Sequence, residues 1–150
     1  MISAAQVARF FLATVDEDIG DGISNLKLQK LVYYAQAYHL ANYDEPLFPE
    51  PVEAWEHGPV VPELYHHYKA YGSGHIPAPA DYEPEDYDER TTELLDEIWN
   101  TFGQYSAWKL RNITHHDGPW INAQRNGSRS RSRTISHDAM RNFYRAYLTE

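Results

Sequence analysis

Between Ser24 and Ala41 the chain reads SNLKLQKLVYYAQAYHLA, and this stretch limits the possible folds more than any other. Leu28, Leu31, Val32, Ala35 and Tyr38 recur at the spacing of one helical face. Ser24 or Asn25 can cap the first turn by accepting from its unpaired N–H groups. Lys27, Gln29, Lys30 and Gln36 are expected mainly on the far side, meeting water. Tyr33 and Tyr34 widen the apolar stripe until little of the helix is plainly exposed. Such a helix is packed by several others, so the rest of the domain is expected around it.

The flanking segments supply those partners. Ser3-Ala4-Ala5-Gln6 reads as a capping box that opens a first helix with Val7, Phe10, Phe11 and Val15 inward. Gly20 and Gly22 separate it from the central helix. Pro46, Pro49, Pro51, Pro59 and Pro62 prevent any helix from crossing the next region. Within it, Pro51–Glu56 suits one short strand with Val52 and Ala54 on one face. Pro62 fits the first position of a helix showing Leu64, Tyr65, Tyr68 and Tyr71 inward and ending at Gly72. Gly72–Asp88, with Asp81, Glu83, Glu85, Asp86 and Asp88, reads as a solvated acidic linker.

Helical spacing resumes from Thr91 or Thr92, with Leu94, Leu95, Ile98, Trp99 and Phe102, and stops at Gly103. Ser106 can cap a shorter helix with Ala107, Leu110 and Ile113 or Thr114 inward. Pro119 and Gly127 bracket another, and Ser136 caps a last one carrying Met140, Phe143, Tyr144, Tyr147 and Leu148. The expected fold is mainly α: one compact domain over 1–150, a bundle of about six helices, with room for a small β-hairpin in the Pro-rich region.

Charge and composition narrow the function. Thirteen Lys and Arg against 22 Asp and Glu give a net charge of −9, which disfavours general binding to nucleic acid or an anionic membrane. Without cysteine there is no disulfide and no thiolate metal or redox site. No apolar run approaches the roughly 20 residues of a membrane span, and no signal peptide is evident, so a cytoplasmic protein is expected.

Signals for catalysis are sparse. Neighbours in a helix point about 100° apart, so neither His66-His67 nor His115-His116 is a ready ligand pair. Zinc would require His57, His115 and Asp117 to converge with one more ligand. HExxH, GxSxG and glycine-rich phosphate loops are absent. No catalytic residue, metal or cofactor is assigned.

Three segments are candidates for binding. Arg129-x-Arg131-x-Arg133 can meet phosphates or an acidic partner, or it is a solvated loop loosely paired with the Asp81–Glu89 acids. Trp55-Glu56-His57-Gly58-Pro59 and Thr114-His115-His116-Asp117-Gly118-Pro119-Trp120 each place an indole beside His, Gly and Pro. Either Gly and Pro make tight turns while the indoles plug the core, or both turns reach one surface and present hot-spot residue types to a partner. A partner's acidic or backbone group is then expected at the helix start beside Trp120.

At these residues the chain resembles the Panacea-domain, SocA-like antitoxin family associated with phages and prophages. The resemblance lies in Leu28-Gln29-Lys30-Leu31-Val32-Tyr33-Tyr34-Ala35-Gln36, Pro46-Leu47-Phe48, Glu53-Ala54-Trp55, Gly58-Pro59-Val60, Thr114-His115 and Pro119-Trp120. It implies neutralisation of a cognate toxin protein by direct binding, or its delivery as a proteolytic adaptor to a AAA+ protease. It implies no catalytic activity. The candidate partner-binding residues are Trp55, His57, Gly58, Pro59, Thr114, His115, Pro119, Trp120, Arg129, Arg131 and Arg133. Two alternatives belong to other classes. One is an enzyme using His57, His115 and Asp117, with or without a metal, to reverse a toxin's covalent product. The other is a nucleic-acid-binding regulator acting through Arg129–Arg133.

Overall fold

The computed structural model describes residues 1–15, 22–126 and 133–148. Seven α-helices among them run α1 (Ala4–Thr14), α2 (Asn25–Tyr43), α3 (Pro62–Tyr68), α4 (Glu89–Phe102), α5 (Ala107–Thr114), α6 (Gly118–Asn126) and α7 (His137–Leu148). Three short strands, β1 (Val52–Trp55), β2 (Gly58–Val60) and β3 (Thr134–Ile135), form an antiparallel sheet in the order β2-β1-β3. The fold is mainly α, as expected. β3 is an addition that its two-residue length hides from any periodicity argument.

The caps follow from sequence. Ser3 accepts from Gln6 N while Gln6 accepts from Ser3 N, a complete capping box. Ser24 caps α2 through Lys27 N, Asp88 caps α4, and Ser106 caps α5. Ser136 accepts from Ala139 N at the start of α7. α2 lies in the middle and packs against α1, α3, α4, α5, β2 and α7. Val7, Phe11, Leu28, Leu31, Ala35, Leu95, Leu110 and Met140 are among the buried side chains of the single core.

The polar side chains of α2 correct the expectation of a wet far side: Lys27, Gln29, Lys30 and Gln36 are all buried. The Pro-rich segment explains why. It is too broken to pair its own backbone, and buried N–H and C=O groups require partners. Gln36 donates to Phe48 O (2.8 Å) and accepts from Leu47 N (2.7 Å). Gln29 accepts from Val61 N (3.0 Å) and donates to Asn25 Oδ1 (2.9 Å), and Asn25 donates to Tyr65 O (3.1 Å). On the opposite flank, Lys27 Nζ donates to Gly103 O at 2.6 Å. Most of this row fastens residues 47–65 to α2.

Two smaller corrections concern Tyr71 and residues 72–88, and between them one open alternative, at the end of α5, is decided. Tyr71 is exposed, because a single 3-10 turn (Lys69–Tyr71) follows α3 and rotates it off the core. At the end of α5 Thr114 is buried and Ile113 is exposed. Residues 72–88 are more than a solvated linker: their acids face water, but Ile76 and Tyr87 are buried and Ser24 pairs with His75. Tyr87 also donates to Gln6 O (2.6 Å). Gly20, Gly127, Arg129 and Arg131 fall outside the described residues.

Candidate functional site at the two tryptophan turns

The β1–β2 hairpin and the α5–α6 turn meet over α2. Trp120 Nε1 donates to Trp55 O (2.8 Å), and Gln124, one turn on, donates to Ala54 O (2.6 Å). The His115 ring stacks on the Trp120 ring, with centroids 4.3 Å apart and planes 8° apart. Trp55 packs edge-on against Tyr65 at 5.0 Å. The two turns therefore share one surface, while both indoles are half-buried and partly committed to internal contacts.

Lys30 lies beneath them. Its side chain is fully buried, and Nζ donates to Pro59 O at 3.1 Å. Burial holds its pKa down to about 7, and the positive charge of Arg111 adds to the effect. Gly58 has φ +117°, and a Cβ there would stand 2.5 Å from Lys30 Cε and 2.9 Å from Thr114 Oγ1. The residue must therefore be glycine twice over, for its backbone conformation and for the lysine crossing it. Pro59 and Thr114 are buried, and Thr114 Oγ1 donates to Arg111 O (2.9 Å). They close the site from within.

His57 is exposed at the hairpin tip, where Nδ1 accepts from Arg111 Nε at 3.1 Å. Arg111 in turn lies over the Trp108 ring at 4.7 Å. Trp108, 62% exposed, is the most exposed aromatic side chain among the described residues, and the residue pattern had not singled it out. Burial lowers the pKa of His115, and the Arg111 charge lowers it further against a backbone hydrogen bond at Glu56. Its Nε2 is buried without a hydrogen-bond partner.

Asp117 turns the other way. Its Oδ2 accepts from the hydroxyls of Tyr33 and Tyr144, the latter at 2.7 Å, and its Oδ1 is buried without a partner. Burial raises the Asp117 pKa to about 6, against the lowering effect of the two tyrosine hydrogen bonds. Because this acid immediately precedes α6, a partner's carboxylate arriving at the α6 N-terminus would meet a like charge. His57, His115 and Asp117 have separate partners, and among the described residues no three His, Asp or Glu side chains are placed to hold a metal. Arg133 borders the two turns, its guanidinium donating to Gln124 Oε1 (2.9 Å) and its carbonyl accepting from Ala54 N (2.8 Å). Among the described residues no helix is long and apolar enough to cross a membrane.

Residues 28–121, from the first turn of α2 through both turns to the start of α6, match the family described as Antitoxin SocA-like, Panacea domain. The chain belongs to that family. It is similar to the protein named Antitoxin SocA from Caulobacter vibrioides (strain NA1000 / CB15N), with 34% identity over 111 residues. That similarity covers 65% of this chain and 58% of the relative, so the chain spans well under two thirds of the relative's length. No solved structure matches significantly. The Panacea-domain match includes Gln29, Lys30 and Gln36 of α2, the hairpin and His115–Trp120, whereas Lys27, Arg133 and α7 lie beyond it.

Missed in sequence are the burial of Lys30, the parts played by Arg111 and Trp108, and the pairing of Asp117 with Tyr33 and Tyr144, since Asp117 is expected only as a ligand or catalytic acid. One signal was available for the first. A lysine and several amides on a helix with no clear wet face must be buried, and buried polar groups need partners. The nearby proline-broken backbone offers them.

Proposed function

We propose that this chain is an antitoxin that neutralises a cognate toxin protein by direct binding through the surface shared by the two tryptophan turns. The observation that carries this reading is the family match over 28–121, which contains that surface from β1 to Trp120. The geometry supports binding over catalysis there. His57 and His115 are occupied by Arg111 and Trp120, while the half-buried Arg111 lies over the exposed Trp108 ring and donates to the exposed His57. Trp and Arg held in place lose little side-chain freedom when a partner covers them, as interface hot spots require.

The test is co-expression with the adjacent gene, scoring growth rescue and co-purification of a complex. Rescue with a stable complex is expected. Loss of the toxin, dependent on a AAA+ protease, would instead indicate a proteolytic adaptor. Absence of any rescue would remove the antitoxin reading for that pair.

A further inference from the structure

On the Asp117 side of the α5–α6 turn, helices α2, α4, α5 and α7 surround an open cleft of about 320 Å³. Its walls are the rings of Tyr34, Tyr38, Phe102, Phe143 and Tyr144. Tyr34 stacks flat on Phe102 at 4.0 Å, and Tyr38 and Tyr144 lie 5.0 Å apart. Asp117 lines the same cleft and is only 3% exposed. Two phenol hydroxyls satisfy its Oδ2, and Oδ1 has no hydrogen-bond partner. Among the described residues no Lys, Arg or His forms an ion pair with it. His116, the other ionisable group of the lining besides the tyrosines, is exposed.

A buried carboxylate without a countercharge is costly, and the faces of aromatic rings carry negative potential. An apolar ligand would cover the rings and leave Oδ1 unpaired. An anion would be repelled by both. A cation answers both, held among the rings and in the field of the buried carboxylate beneath them. We infer that this cleft binds a guanidinium or ammonium side chain, an arginine or lysine of the partner protein. The net charge of −9 favours a basic partner. Ile113, 37% exposed, lines the cleft on α5, the helix that also carries Trp108 and Arg111. Ile113 stands about 200° round α5 from Arg111, so a protein seated on Trp108 and Arg111 reaches the cleft by wrapping that helix. As to partner identity, the inference rests on the antitoxin reading; as to cation binding, it stands alone.

The full chain is titrated with n-butylguanidinium chloride, an arginine side-chain mimic, while the aromatic ring signals are followed by NMR. Saturable shifts at Tyr38 and Phe143 are expected. N-butylurea, of similar shape but neutral, should bind more weakly by on the order of tenfold. Asp117→Asn should weaken n-butylguanidinium binding by a factor on the order of ten. Tyr38→Leu, which leaves the carboxylate in place, should weaken it roughly threefold. Equal binding of the urea, absence of saturable shifts, or unchanged affinity in Asp117→Asn would overturn the proposal. If Asp117→Asn does not fold, the urea comparison and Tyr38→Leu decide. A second arm repeats the growth rescue with Tyr38→Leu and Asp117→Asn. Rescue by the parent and equally by both folded variants would remove the partner's basic side chain while leaving the antitoxin reading intact. Failure of the parent itself would remove that reading, and the titration would still decide the cleft.

Discussion

His115 and Asp117 stand two residues apart, yet their surroundings have little in common. On the His115 side, Trp120, Gln124 and Lys30 all bond to backbone carbonyls of the β1–β2 hairpin. On the Asp117 side, an acid held by two phenols opens on a cleft walled by rings. The first arrangement spends polar atoms on fixing a chain too proline-rich to fix itself. The second leaves one carboxylate oxygen without a hydrogen-bond partner. Residue types that suggest an interface, such as Trp55 and Trp120, can thus be internal fasteners. Residues at core spacing, such as Tyr38 and Phe143, can instead wall a cleft.

The closed side should be the more fragile, and Gly58→Ala should break it hardest. The new Cβ would overlap Lys30 Cε at 2.5 Å in a backbone conformation that side chains rarely adopt. Overpacking and backbone strain together should cost about 3 kcal/mol or more, read as a lower midpoint in urea. A loss under about 1 kcal/mol would show slack between hairpin and helix that the contacts do not suggest.

Lys30→Met tests the same side through pH. An unfolded lysine titrates near 10.4, whereas Lys30 in the fold titrates at about 7. Between those values the unfolded chain holds a proton that the folded chain has released, so stability should rise with pH across the window. Tyr33 and Tyr144, raised well above their usual range by burial, oppose this only at its upper end. In Lys30→Met that rise should disappear, and the variant should compare best with the parent near pH 6. Parallel stability–pH curves for the two proteins would show that Lys30 does not lose its proton in this range.

How much of this was legible in the sequence depends on what fixes each element. Capping serines, prolines at helix starts and helical spacing gave α1, α2, α3, α5 and α7 their type and approximate place, because those signals act within a few residues. Val52 and Ala54 were assigned to one face of a strand and are buried together. The meeting of the two turns followed only as one alternative, since Trp55 and Trp120 are 65 residues apart and nothing local couples them. The partners of Lys30 and Gln36 were hidden because they are main-chain groups, which carry no residue-type signal. Asp117 was legible as a titratable group but not as the floor of a cleft. Its tyrosine partners, Tyr33 and Tyr144, come from α2 and α7.

Two substitutions compare a fastener with a surface residue. His115→Ala removes a ring stacked on Trp120, and the loss of an aromatic pair predicts about 1 kcal/mol of destabilisation. Trp108→Ala removes an exposed side chain and should stay within about 0.5 kcal/mol of the parent. Complex formation should be strongly reduced in both, and for Trp108→Ala that loss cannot be ascribed to the fold. Thermal melts beside a pull-down with the co-expressed toxin separate the two effects. A Trp108→Ala variant that binds fully would take α5 out of the interface and leave only the hairpin face.

The smallest effect is expected in the arginine run, where the expectation of a loop that holds up nothing divides in two. Arg133 enters β3, its carbonyl accepting from Ala54 N and its guanidinium donating to Gln124, the residue that also holds Ala54 O. The main-chain bond survives any substitution, so Arg133→Ser loses only a half-buried side-chain bond, worth about 1 kcal/mol. Arg129 and Arg131 lie outside the described residues, and their proposed role is electrostatic. Changing both to Ser should leave the melting temperature unchanged and slow association with an acidic patch on a partner, most at low salt, where screening is weakest. Stopped-flow association at two ionic strengths measures this directly. If the double variant associates at the parent's rate at low salt, the arginines steer nothing. If it melts early while Arg133→Ser does not, the division is reversed and residues 129 and 131 carry the structural role.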